Sequence, residues 1–86
     1  MKTTSGFECD INKDRLKNME LVDALADMQD DDVLAVSRVV KLLFTKEEKR
    51  RLYDHVRTPE GTVPPDAIGA ELNEIFSLLG EEGKKS

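Results

Sequence analysis

The segment HVRTPEGTVPPDAIGAEL, from His55 to Leu72, has the outline of a calcium loop, with a glycine in a tight turn and an apolar residue two positions on. In an EF-hand the glycine holds position 6, oxygen ligands hold 1, 3 and 5, an apolar residue holds 8 and a bidentate Glu closes the loop at 12. Placing Gly61 at 6 and Val63 at 8 puts Val56, Thr58, Glu60, Pro64 and Ala67 at the ligand positions 1, 3, 5, 9 and 12. Val56, Thr58, Pro64 and Ala67 are apolar or uncharged, so this loop does not enclose calcium in the usual way. Cys9 and His55 are the types of a thiol nucleophile and its base. Each is the lone copy of its kind and no motif surrounds either, so chance explains their presence better than a catalytic pair does. The acidic run of Asp30, Asp31 and Asp32 suits the start of a helix better than a metal site, with Asp30 or Asp31 accepting from free backbone amides. There is no glycine-rich phosphate loop, nucleophile motif or metal-ligand spacing. The chain is expected to be no enzyme and to carry no cofactor.

Composition narrows the partners. The chain has 86 residues and a net charge of −5, and its aromatics are limited to Phe7, Phe44, Tyr53 and Phe76. It offers neither the basic patch nor the stacking platform that DNA or RNA binding needs. No N-terminal run is apolar enough for a signal peptide or a membrane span, and one cysteine forms no internal disulfide. A soluble, cytoplasmic protein is expected. A domain of this size buries only about 60% of the surface its unfolded chain exposes, so it gains from partners.

The elements that position these residues follow from periodicity. Phe7, Cys9 and Ile11 alternate with Glu8 and Asp10, the period of a half-buried strand, so residues 1–11 are expected to form a short strand or small hairpin. From Asn12 or Lys13 the period changes. Leu16, Met19, Val22, Leu25 and Met28 recur every third residue, which predicts a helix over 13–28. Val33, Val36, Val39, Val40 and Leu43 predict a second, central helix over 32–43. Thr45 and Glu48 have the spacing of a capping box, which starts a third helix over 46–57 almost without a linker. Lys46, Lys49, Arg50, Arg51 and Arg57 make that helix the one basic element, either a solvated face or a contact for an acidic partner or a neighbouring acidic helix. Pro59 and Gly61 then turn the chain, and Pro65 with Asp66 starts a fourth helix over 65–79 that ends at Gly80. The expected fold is therefore mainly α: a compact four-helix domain over residues 1–80 with a short N-terminal β-strand or hairpin, and a disordered tail over 81–86.

With these elements placed, the chain resembles the small tail assembly chaperones of long-tailed bacteriophages and prophages of Gram-positive bacteria. The residues that carry the resemblance are NMELVDALADMQDDD (18–32), VLAVSRVVKLLF (33–44) and RRLYDHVRTPEGTVPPDAIGAELNEIF (50–76). The resemblance implies a protein of the host bacterial cytoplasm, absent from the mature virion. It would bind the tape measure protein, keep it soluble and help to recruit the tail tube protein. The family also commonly makes a longer frameshifted form, and Gly83-Lys84-Lys85 is what a slippery codon run would encode.

A holding protein needs an apolar groove between helices and enough charge to stay dispersed. Leu34 and Leu42 on the second helix, Leu21 on the first and Leu78 on the last exceed what so small a core should need. Leu34, Leu42, Phe76 and Leu78 are the expected protein-binding residues, with a self-association surface in a homo-oligomer as an alternative use. The rival reading is a small acidic adaptor or inhibitor protein from a mobile element, acting by helix-in-groove binding to a host protein.

Overall fold

The computed structural model describes residues 1–84. The protein is mainly helical, with α1 (Met19–Gln29), α2 (Val33–Leu43), α3 (Lys46–Val56) and α4 (Pro65–Lys84) preceded by one 3₁₀ turn at Lys13–Leu16. No strand occurs among the described residues. In place of the expected N-terminal strand there is a tight turn joined by one isolated antiparallel bridge between Lys2 and Glu8. Gly6 adopts φ 95°, and the Thr3 amide donates to the Phe7 carbonyl at 2.9 Å. The alternation nevertheless sets the burial, because Phe7 and Cys9 are buried while Glu8 and Asp10 are exposed. What is missing is a longer partner segment to extend the ladder.

The helix expected over 13–28 is broken at Lys17 and Asn18. Asn12 and Asn18 each turn their side chain back on the backbone, accepting from the amides of Asp14 and Glu20 at 2.9 and 3.0 Å. Two such caps so close together end the first turn and start a new helix. The inward face of α1 also differs from the expected stripe. Leu21 and Ala24 are buried with Leu25 and Met28 packed beside them, whereas Met19 and Val22 are exposed. A three-residue repeat drifts backward by about 60° at each step on a helix of 3.6 residues per turn, so five such positions cannot share one face. Leu21, expected as surplus, is core.

The α1–α2 corner is closed by a Schellman motif. The Asp31 amide donates to Met28 O at 3.2 Å and the Asp32 amide to Asp27 O at 3.1 Å, with Asp31 in the left-handed region at φ 66°. The next helix is capped by Asp32, not by Asp30 or Asp31: its carboxylate accepts from the Leu34 amide at 3.0 Å. Arg38 then ties both sides of the corner, reaching Asp27 at 2.7 Å and Asp32 at 3.8 Å.

Helix α2 is central and packs against α1, α3 and α4. Its Ala35, Val39, Val40 and Leu43 are buried, and Phe44 just beyond it joins Leu52 of α3 and Ile68, Leu72 and Ile75 of α4 in the core. The capping box forms as expected, the Glu48 amide donating to Thr45 Oγ1 at 3.2 Å and the Thr45 amide to Glu48 Oε1 at 2.8 Å. Helix α4 starts at Pro65, as its missing amide and fixed φ favour. It does not end at Gly80 but continues to Lys84, into the segment expected as a tail; Lys85 and Ser86 lie outside the described residues.

Candidate functional site

Two places combine unusual residues: a partly buried polar cluster under the N-terminal turn and an open apolar furrow beside α2. The polar cluster centres on Glu71, only 6% exposed although it is charged. Its Oε1 accepts from Thr3 Oγ1 at 3.2 Å and from the Ser5 hydroxyl, and lies 3.7 Å from His55 Nε2. Ser5 Oγ is 2.9 Å from the same nitrogen. One helical turn further on, Glu74 accepts the Thr4 amide with both oxygens, at 2.8 and 3.1 Å.

Serine, histidine and a carboxylate at these distances invite comparison with a nucleophilic triad. In such a triad the serine meets one imidazole nitrogen and the carboxylate orients the ring through the other. Here Ser5 and Glu71 both face Nε2, and the serine proton points to the carboxylate. Once that proton is committed, Nε2 donates to the serine oxygen rather than withdrawing a proton from it. The cluster fastens the N-terminal turn to α3 and α4. His55 also packs its ring against Phe7, with centroids 5.4 Å apart. Cys9 is buried, and burial pushes its thiol pKa up, the reverse of nucleophile activation.

The calcium-like loop directs its carbonyl oxygens into its own turn. Thr58 O accepts the Gly61 amide at 2.9 Å, Thr62 O accepts the Thr58 amide at 2.8 Å, and Gly61 O accepts Arg57 Nη1 at 3.0 Å. A guanidinium therefore stands against one loop carbonyl, which repels a cation from that oxygen. Gly61 takes φ 91°, and Val63 packs against the core as an anchor.

The furrow runs along the start of α2. Its apolar part is a hollow of about 260 Å³ bounded by Val33, Leu34, Val36, Tyr53, Val63 and Pro65. Leu34 is 76% exposed and Val33 58%. A second hollow of about 400 Å³ shares Val33 and Val36 and continues toward α4, past Gly69 and Ala70, with Asp31, Asp32 and Asp66 on its margin.

Among the four residues expected to bind a protein, Leu34 alone is an exposed large apolar side chain. Leu42 and Phe76 are half-buried against the core, and Leu78 is half-buried. None of these three lines the hollow at Leu34. Leu42 is eight residues along the same helix, about 12 Å away at 1.5 Å per residue. Val33, Tyr53, Val63 and Pro65 were missed as members of one surface because three different helices and a loop supply them. Of the basic residues of α3, Arg51 donates to Glu8 O at 2.7 Å, Arg57 pairs with Asp54 at 3.2 Å, and Lys49 lies over the Tyr53 ring at 5.3 Å. These three cations are engaged within the fold, whereas Lys46 and Arg50 are exposed and have no ion pair among the described residues.

No family model, curated protein or solved structure matches the chain. No helix among the described residues is long and apolar enough to cross a membrane.

Proposed function

We propose that the chain is a protein-binding domain that holds an apolar segment of a larger partner in the furrow at the start of α2. On the resemblance drawn from the sequence, that partner is the tape measure protein of a long-tailed phage, held during tail assembly in the bacterial cytoplasm until tail tube protein surrounds it. The observation that carries the reading is the exposure of Leu34 and Val33 beside a hollow walled by Tyr53, Val63 and Pro65. An apolar surface of this kind, assembled from several elements and bordered by charge, is the form an interaction site takes.

Coexpression with the tape measure protein of the same gene cluster tests the proposal. The wild-type chain should keep that protein in the soluble fraction and co-purify with it in many copies per client. Leu34→Asp should retain its helical circular dichroism and lose the client. Equal co-purification by the variant, or normal tails assembled in its presence, would overturn the reading. A one-to-one complex with a host protein instead would favour an adaptor or inhibitor.

A further inference from the structure

We infer that the furrow takes an amphipathic helix whose apolar face is flanked by lysine or arginine. This rests on the client-holding reading and adds the chemistry of the segment that is held. The two hollows adjoin at Val33 and Val36, which line both, and an elongated segment laid across these residues would reach each of them. One hollow is apolar. The other is edged by Asp31, Asp32 and Asp66. Asp32 is engaged by the Leu34 amide and Arg38. Asp31 and Asp66 have no ion pair among the described residues, so apart from the helix N-termini beside them no cation faces these carboxylates at the edge of an apolar floor. A cationic flank on the bound segment would meet these two carboxylates, and the low dielectric of the covered furrow would strengthen the contact.

Gly69 supplies an independent argument. It lies in the interior of α4 and lines the acid-edged half of the furrow, and a Cβ built there meets nothing within 4 Å. Glycine inside a helix is unfavourable relative to alanine, and no neighbour among the described residues requires it here. With Ala70 beside it, it leaves a low stretch of α4 against which a second helix backbone can lie close.

The probe is a dye-labelled synthetic helical peptide of 16 residues with leucines at i, i+3, i+4 and i+7 spacing and lysines flanking them, compared with the same peptide carrying glutamates in place of lysines. Fluorescence anisotropy should show the lysine peptide binding at least tenfold more tightly, with affinity falling as salt is raised. The double variant Asp31→Asn with Asp66→Asn should weaken it at least tenfold. The charge-matched variant Glu8→Gln with Asp10→Asn, at the other hollow near Arg51, should leave it within about twofold, which separates a local site from the pull of an acidic protein. Gly69→Leu should remove binding with unchanged circular dichroism. Binding that ignores both Gly69→Leu and the aspartate pair would overturn the inference, as would a dimer in sedimentation that Gly69→Leu dissolves, since a second copy would then own the furrow. If the peptides fail while the tape measure protein still depends on Leu34, the charge chemistry is wrong and the client-holding reading stands. If the lysine peptide binds as described but the tape measure protein does not co-purify, the furrow chemistry stands and the client is another protein.

Discussion

Thr3 Oγ1 donates to Glu71 Oε1 across 3.2 Å, although 68 positions of sequence separate the two residues. The bond joins the first turn of the chain to its last helix, and Ser5 reinforces it on the same oxygen. Removing the carboxylate leaves the buried Thr3 hydroxyl without its partner, and the more exposed Ser5 hydroxyl and His55 without the group they share with it. Glu71→Ala should therefore lower unfolding free energy by about 1 to 3 kcal/mol. Hydrogen exchange should quicken at the Thr3 amide, which bonds Phe7 O, while amides in the middle of α2 change only with global stability. Unchanged exchange at Thr3 would show that the turn holds without Glu71.

Asp31 takes a left-handed conformation that glycine adopts without a Cβ clash. Its exposed side chain has no hydrogen bond or ion pair among the described residues to offset that strain. Asp31→Gly should stabilise the domain by about 0.5 to 1 kcal/mol, the relief of strain being partly cancelled by the greater freedom of the unfolded chain. Thermal melting is the measurement, and a rise of about 4 °C is the expected scale for a domain this small. A fall would mean that the carboxylate makes a contact worth more than the strain.

Burial raises the thiol pKa of Cys9, so the folded protein holds that proton more tightly than the unfolded chain does. The stability this confers is present below the ordinary thiol range and is lost as pH rises from about 8.5 through the folded value. Unfolding free energy should decline more steeply above pH 8.5 in the wild type than in Cys9→Ala. Native protein at pH 8 should react with a thiol reagent at least about tenfold more slowly than protein in denaturant. Equal rates would place the sulfur in contact with solvent.

The legible parts of this fold are those written in local signals. The Thr45 and Glu48 box and Pro65 at the head of α4 are each set within a few residues and are found where the sequence places them. The apolar stripe of α2 is found in part: Val39, Val40 and Leu43 are buried, but Val33 is exposed, Val36 is half-buried and Ala35 is buried in their stead. The break at Asn18 was legible in principle, since asparagine favours a cap over a helix interior, but the apolar repeat across it concealed it. Glu71 was signalled too: with Ile68, Leu72 and Ile75 it has the spacing i, i+3, i+4, i+7, so a carboxylate sits on the inward face of α4. What no local pattern carries is which distant groups meet it. Thr3, Ser5 and His55 converge there only once the helices have packed, and the furrow is likewise a product of tertiary placement.

Apolar residues of similar type occupy different depths on α2, and that difference fixes what each can do for a partner. Leu43 is 1% exposed, Leu42 is half-buried and Leu34 is 76% exposed. Truncation to alanine should cost about 2 to 5 kcal/mol at Leu43, where a cavity is left in the core. At Leu34 it should change stability by less than about 0.5 kcal/mol, and Leu42→Ala should fall between. Denaturant unfolding of the three variants gives this order directly. If Leu34→Ala were as damaging as Leu43→Ala, Leu34 would be a core residue, its role in the furrow would fall, and Val33 with Tyr53 would be the remaining apolar anchors. If the order holds, Leu34 can be exchanged for any polar residue without unfolding the domain, and any loss of binding that follows is a loss of contact rather than of fold.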